Sequence, residues 1–562
     1  MAKYKEKQPP TDKIRIVNDN RSCQKCGEKL NLRSTATRNL INLQQKIRLS
    51  VQVGYCMNEN CEHYKVGIKP TNYLNQIVPE SGYGIDVYGL IGTRRLTNRN
   101  TVLEIRNYLS LNYPHIEIGE RHVENIVKDI NLYIAESGKN AKQLKGYFDN
   151  RNQLSLYLSI DGLQPEQGHN ILYIVREVLS GKILFAHYST HSDEKSISEE
   201  ILIPLKQTLT SAGLQVGGWI ADKELALGKA IQQEFPQTPF QHCQSHFLAK
   251  MKAPLTEADT ELGKTVKKNF GKLRPTERNI TASAELGTIN IEEAEQLQAL
   301  CSTIRSWQSR SLSHKHRLKG VELYESMAQI ADCIPSLRAE KDHSVLEELQ
   351  IKLENSIAGL KTDYEALKQG KNVLDQLTDV LYGAKDEKGN RNTKDYKIEA
   401  TGSEVEQEVG QVIEQSFEQY KTHSSQMRKY LLNFQNTYQN WKLNLFTCYD
   451  YPDIPNDNNR LELSHSQMKK QHRRITGQQS TAKYLKIHGE QAAFTLNFSQ
   501  GVNTQQVLEQ VIRQTDYKQF KEQKRKQQLK SKERGRMTTT KRGLHKTLAW
   551  LKQNWGKKSD SS

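Results

Sequence analysis

The chain has 562 residues, enough for three to four domains at a typical ~150 residues each. Its 81 Lys and Arg against 64 Asp and Glu leave a formal charge of +17, which points to a polyanionic partner. No apolar run approaches the ~18 residues of a membrane span, and Met1 to Asn20 lack a signal-like apolar core, so integral-membrane and secreted classes are not expected.

Four of the eight cysteines come early, as Cys23-x2-Cys26 and Cys56-x4-Cys61, with 29 residues between the pairs. Each pair can present two thiolates from one tight turn, and four soft ligands suit tetrahedral zinc. Gly27 favours the required turn, and His63 is an alternative ligand. Four protein ligands would leave no open position, so a Zn2+ held there is expected to be structural and not catalytic.

Asp86 to Leu96 reads as a helix. Val102, Ile105, Leu109 and Leu111 form the stripe of a second, and Gly119 to Ile134 buries Val123, Ile126, Val127 and Ile130 on a third. The third would expose Arg121, His122, Asn125 and Lys128, as in a helix-turn-helix entering a major groove. A three-helix bundle without nucleic acid is the competing interpretation.

From Leu154 the pattern turns to strands. Leu154 to Ile160, Asn170 to Val178 and Lys182 to Tyr188 read as an antiparallel meander, with Ser180-Gly181 as its second turn. A helix over Ser192 to Ala212, a strand over Val216 to Ile220, a helix over Leu225 to Phe235 and a short strand over Pro239 to His242 follow. Asp161 closes the first strand and Asp222 follows the fourth, 61 residues on. Either could be an ordinary turn residue. If the two strands are neighbours, the carboxylates meet at one sheet edge and call for a positive partner.

Glu285 to Trp441 reads as mostly helical, with a helical hairpin over Leu337 to Leu381 (Leu346, Leu349, Leu353, Ile357, Leu360) and an exposed loop over Tyr382 to Ser403. Trp307 and Trp441 are expected as core anchors. From Glu285 to Tyr420, 25 acids face 16 bases. The segment Ile454 to Gly477 (IPNDNNRLELSHSQMKKQHRRITG) reads as a helix capped within Asn456 to Asn459. It carries Glu462 in its first turn, then Lys469, Lys470, Arg473 and Arg474. From Val511 to Ser562, 16 bases face 4 acids, which suits either a phosphate-binding arm or a solubilising tail.

Three carboxylates in strand, strand, helix order can hold two divalent cations ~4 Å apart for in-line displacement at phosphorus. Oxygen ligands favour Mg2+ or Mn2+. No P-loop, nucleophile elbow or HExxH is present. With these residues in view, the chain resembles DDE transposases with a ribonuclease H-like catalytic domain, of the bacterial insertion-sequence type. The Cys243-x2-His246 pair, the NNRLE run and the later cations are similar to Mutator-type mobile elements.

The resemblance spans roughly Leu154 to Gly477. It implies Asp161, Asp222 and Glu462 as catalytic ligands of two Mg2+ (or Mn2+) ions, with Glu224 a competitor for one place. It also implies cleavage at transposon ends and 3′ strand transfer into target DNA. Cys243 and His246 are a supporting structural pair, a DNA contact or part of a zinc site. Expected partners are double-stranded DNA and further copies of the chain, in a bacterial, nucleoid-associated cytoplasmic setting and without membrane.

The resulting expectation is a multidomain α/β protein. It has a zinc-ribbon module (1–75), a helix-turn-helix domain (80–145), and a ribonuclease H-like mixed sheet flanked by helices (150–255 and 451–500). An all-α insertion (256–450) interrupts the sheet domain, and a basic helical tail (501–562) follows. The alternatives are a catalytically inactive, domesticated DNA-binding protein, which binds without nicking, or a structure-specific nuclease, which cuts without joining.

Overall fold

The computed structural model describes residues 12–164, 171–313, 317–391, 393–420, 422–498, 503–536 and 541–554. The chain forms two compact units, Met1–Thr238 with Asn458–Ser562, and Pro239–Asp457. Among the described residues no helix is long and apolar enough to cross a membrane. The fold is mixed α/β and mostly helical, with two mixed sheets.

The first unit opens on β1 (Asp12–Ile16), β2 (Asn31–Ile41), β3 (Lys46–Tyr55) and β4 (Gly67–Ile68), and β3 pairs with the other three. In β3 every second residue, Ile47, Leu49, Val51 and Val53, turns inward onto Ile16, Leu40, Tyr73 and Ile77. After α1 (Thr71–Leu74) come α2 (Ile85–Leu96), α3 (Val102–Asn112) and α4 (Glu120–Gly138). Thr101 and Glu104 cap α3 reciprocally. Ile105 and Leu109 are buried as expected, but Leu111 is 81% exposed. Two residues past Leu109, Leu111 has rotated about 200° around the helix, so it cannot share that stripe. Val123, Ile126, Val127 and Ile130 are all buried.

After α5 (Ala141–Asp149) the chain enters the second sheet. β5 (Ser155–Leu163), β6 (Ile171–Glu177) and β7 (Ile183–Ser189) form the expected antiparallel meander. The long helix predicted next is α6 (Glu194–Ile197) and α7 (Ile203–Ser211), joined through a π-turn at Ser198–Leu202. β8 (Gln215–Ala221) then lies parallel to β5, giving the order β7-β6-β5-β8, and α8 (Leu225–Glu234) follows. Leu172, Tyr173, Ile174 and Val175 are all fully buried, as expected of a strand covered on both faces.

The second unit holds β9 (Phe240–His242), α9 (Gln244–Phe270), α10 (Arg274–Glu285), α11 (Ile291–Ser309), α12 (Lys319–Glu340), α13 (Ser344–Ile357) and α14 (Lys361–Tyr382). It closes with α15 (Thr393–Glu399), α16 (Gly402–Tyr420), α17 (Ser425–Trp441) and α18 (Thr447–Asp450). It begins at Pro239, within the range expected for the catalytic core, and α9 runs unbroken across 255 and 256. Phe247, Met251, Leu349, Leu353 and Phe434 are core residues, and Trp441 is buried with them. Trp307 is only half-buried, under the Arg310 guanidinium.

The loop expected over Tyr382 to Ser403 contains α15, whose Lys397 is buried and donates from Nζ to the carbonyls of Ile454 (2.5 Å) and Pro452 (3.3 Å). Asp259 of α9, 2% exposed, accepts from the N–H groups of Gly320 (3.0 Å) and Val321 (2.7 Å), capping α12 from outside. A Cβ at Gly320 would lie 1.8 Å from the Asp259 carbonyl oxygen. Gly320→Ala is therefore expected to cost about 3 kcal/mol, read as a lower denaturation midpoint.

The chain returns to the first unit with α19 (Asn459–Thr476), α20 (Ala482–Thr495), α21 (Thr504–Gln514), α22 (Tyr517–Arg536) and α23 (Lys541–Asn554). Phe494, Leu508, Ile512 and Phe520 share one core with α2, α4 and inner residues of β5, β6 and β7. The basic tail is anchored where it begins. Phe520 stacks on Tyr133 (4.0 Å between centroids), Lys524 Nζ lies 2.7 Å from Asp129 Oδ1, and Lys521 pairs with Glu80. Its remainder at 537–540 and 555–562 lies outside the described residues.

Candidate functional site

The cysteines come together as the spacing predicts. Gly27 adopts φ 76°, which a glycine reaches without strain, and its N–H donates to the Cys23 carbonyl at 2.9 Å. Across from this knuckle, Tyr64 N–H donates to Cys61 O and Lys65 N–H to Cys56 O. Cys23 Sγ lies 3.8 Å from Cys61 Sγ, and Cys26 Sγ lies 3.6 Å from Cys56 Sγ. Four sulfurs ~2.3 Å from a tetrahedral centre stand about 3.8 Å apart, so the group has the dimensions of a structural zinc site. His63 Nδ1 stands 3.7 Å from Cys23 Sγ, beside the four rather than among them. Backbone N–H groups of Lys25 and Cys26 hold the Cys23 thiol down at about 6, whereas burial pushes Cys56 up to about 12.

The acidic site is built on the parallel pairing of β5 and β8. Ser159 faces Ile220 and Ile160 faces Ala221, so Asp161 and Asp222 occupy the next step on neighbouring chains. β8 stops there, but β5 continues, with Asp161, Gly162 and Leu163 paired to Ile174, Tyr173 and Leu172. Asp161 is thus a strand residue, not a turn residue. Its Oδ1 accepts from Gly162 N–H at 2.7 Å, and its Oδ2 lies 3.2 Å from Nδ1 of His465.

Glu224 sits just beyond Asp222, with Tyr173 donating to its Oε1 at 3.4 Å. Burial and then the charges of Asp161 and Asp222 raise the Glu224 carboxyl above the usual range, against the Tyr173 hydrogen bond. Burial is the main cause of that upward push, and the smaller part due to the neighbouring charges is what a bound cation would relieve.

Glu462 is delivered by α19. Asn458 is the N-cap residue, but its amide donates to the Ile160 carbonyl (3.3 Å) instead of capping the helix. This ties the start of α19 to β5 beside Asp161. One turn after Glu462, His465 meets Asp161. Glu462, His465, Ser466, Lys469, Lys470 and Arg473 form one wall of an open cavity of about 500 Å³, with Gly162, Leu163 and Gln164 opposite. Arg474 is exposed and lies outside that lining.

Asp161, Asp222 and Glu462 therefore share one neighbourhood, but they do not bring three oxygens within 4.8 Å of one another. His465 holds Asp161 instead. The donor set, all oxygen and acidic, is of the chemistry that hard divalent cations take.

Among the other expected site residues, Arg121, His122 and Asn125 are exposed on α4, with His122 edge-on to Tyr83. Lys128 is half-buried and tied to Glu124 at 2.7 Å. Cys243 and His246 belong to the second unit. Buried Cys243 is the N-cap residue of α9, with its Sγ 3.0 Å from Ser245 Oγ, and His246 lies in the first turn of α9. Comparison of the chain with protein-family models and with curated proteins gives no match.

Proposed function

We propose that this chain is a DNA transposase: it binds the ends of a mobile element, cleaves a strand there and joins the freed 3′ end to target DNA. The observation that carries the proposal is the pairing of β5 with β8, which puts Asp161 and Asp222 side by side where α19 arrives with Glu462 and its cations. The strand order β7-β6-β5-β8, with only the last pair parallel, supports a ribonuclease H-like core. The cysteine knuckle supports a zinc ribbon, and α2 to α4 support a helix-turn-helix whose first α4 turns face the bases.

Asp161, Asp222 and Glu462 would hold the divalent ions, with Glu224 behind Asp222. Such ions, when bound, supply activation of the attacking oxygen and neutralisation of the leaving one. The chain's own residues do the positioning. Lys469, Lys470 and Arg473 follow Glu462 at seven, eight and eleven residues, about 10–17 Å along the helix axis, and take backbone phosphates. Asn458 ties the start of α19 to β5, and Glu462 and the cations after it share one wall of the cavity, where they would meet the duplex.

The deciding experiment incubates the full chain with end-bearing duplex, with and without Mg2+, and scores nicked and joined products. Joined products support the proposal. Binding with no nicking under any divalent ion, or nicking that never yields joined 3′ ends, overturns it.

A second expected result concerns the cations. Lys470→Gln and Arg473→Gln should each weaken duplex binding regardless of sequence and lower the salt slope by about 1, measured by anisotropy titrations across ionic strength. An unchanged slope would place the duplex elsewhere.

A further inference from the structure

His465 is a residue of the acidic site whose chemistry is half spent. Its Nδ1 is committed to Asp161 Oδ2 at 3.2 Å, and the residue is only 7% exposed. Its Nε2 is buried and has no hydrogen-bond partner among the described residues. Buried ring nitrogens are normally satisfied, and an orphan of this kind marks a missing partner. Turning the ring to seek one would give up the contact to Asp161. The same residue lines the open cavity, with Glu462 one turn before it along α19 and Lys469, Lys470 and Arg473 one to two turns after it. A group that uncovers Nε2 from that cavity stands beside Lys469, Lys470 and Arg473 as well as Glu462, a lining whose cations outnumber its carboxylate and favour an anion.

We infer that His465 is a further substrate-binding residue: Nε2 hydrogen-bonds a phosphodiester oxygen of the DNA strand, while Asp161 fixes the ring from the other side. The inference rests on the proposed nucleic-acid function of this site. It adds a contact to the phosphate nearest the acids, one turn closer to them than the nearest lysine. Neither charge nor motif spacing marks this contact, since His465 lies among the apolar positions of α19 with Leu461 and Met468.

Two substitutions in the full-length chain separate the two ring nitrogens. His465→Asn keeps a polar group where Nδ1 meets Asp161 and removes the Nε2 position. His465→Gln extends an amide toward the Nε2 position and abandons Asp161. With a fluorescein-labelled duplex in EDTA, His465→Asn should bind about tenfold more weakly than the parent, the effect of losing one charge-assisted hydrogen bond, and His465→Gln should stay within about threefold. In Mg2+ the loss should appear mainly in KM.

The ring resonance supplies a readout independent of turnover and of variant stability. In 15N-histidine-labelled parent protein, Nε2 of His465 should shift on duplex addition while Nδ1 moves little. If His465→Asn binds like the parent, or if Nε2 does not respond to duplex, His465 is only a brace for Asp161 and the inference is wrong. Should the parent protein bind duplex and shift Nε2 yet never cleave, the transposase proposal falls while the phosphate contact stands.

Discussion

Asp222→Asn should abolish strand cleavage and joining and at the same time make the metal-free protein more resistant to heat at neutral pH. The two effects share one cause. Asp161 and Asp222 occupy the same step of the parallel β5 and β8 chains, and Glu224 lies close enough to feel both charges. Burial together with those charges raises the Glu224 carboxyl, so folding is penalised when it ionises. Such a penalty is absent below the ordinary glutamate value of 4.5, grows as pH rises through the raised folded value, and is full above it. Stability of the parent protein should therefore fall as pH climbs out of the acidic range. The Asp222→Asn substitution would remove one of the repelling charges and make that fall slightly shallower, the larger part, due to burial, remaining.

Divalent ions should mimic the substitution. Mg2+ should raise the parent melting temperature and leave Asp222→Asn nearly unmoved. For catalysis, removing a carboxylate that supports charge development should cost at least ~10³-fold in turnover, equivalent to about 4 kcal/mol. Asp161→Asn should lose as much activity without the stability gain, because it also weakens the contact to His465. Full strand transfer by either variant would remove that residue from the mechanism.

The parts of this fold that could be read from the sequence are those set by local periodicity. The runs around Leu158, Ile174 and Ala186 are apolar over strand lengths, and a two-residue Ser180-Gly181 turn leaves an antiparallel partner as the simplest arrangement. The cysteine spacing fixes its own geometry, because each pair closes within one turn. The contacts that complete the site join residues some 300 positions apart, and no local pattern encodes them.

Asn458 looks like an ordinary helix cap until its amide is found on Ile160, and His465 looks like one more polar residue until the rotation of α19 about its axis is known. Lys397 misled in the same way. A lysine in a polar stretch suggests solvent, but its acceptors here are backbone carbonyls of a loop 55 and 57 residues away, which composition does not register. Leu111 failed for a simpler reason: an apolar residue two positions from another lies on the opposite side of a helix.

Cys26→Ser should unfold the N-terminal knuckles although almost nothing packs against that side chain. Cys26 is exposed, and a surface substitution at such a position ordinarily changes stability by no more than about 0.5 kcal/mol. The local core is too small to hold the segment unaided. Among the described residues its apolar cluster buries Cys23, Leu30 and Cys56, with Leu32, Cys61 and Ile68 partly buried against them. Two of those three are themselves ligand positions, so metal and core are nearly the same object. Structural zinc contributes about 10–16 kcal/mol of apparent binding free energy in small domains of this kind, and losing one of four thiolates forfeits much of it.

The hairpin of β2 and β3 should survive, because Leu40, Ile47, Leu49, Val51 and Val53 pack against Ile16, Tyr73 and Ile77 without help from the cysteines. Limited proteolysis should then cut Cys26→Ser, or the chelator-treated parent, within residues 19–30 and 56–66 and spare 36–53. A colorimetric chelator should release one zinc per chain from the parent and none from the variant. If the variant resists protease like the parent, or the parent yields no zinc, the sulfur spacing of 3.6 and 3.8 Å reflects packing of thiols and not a metal site.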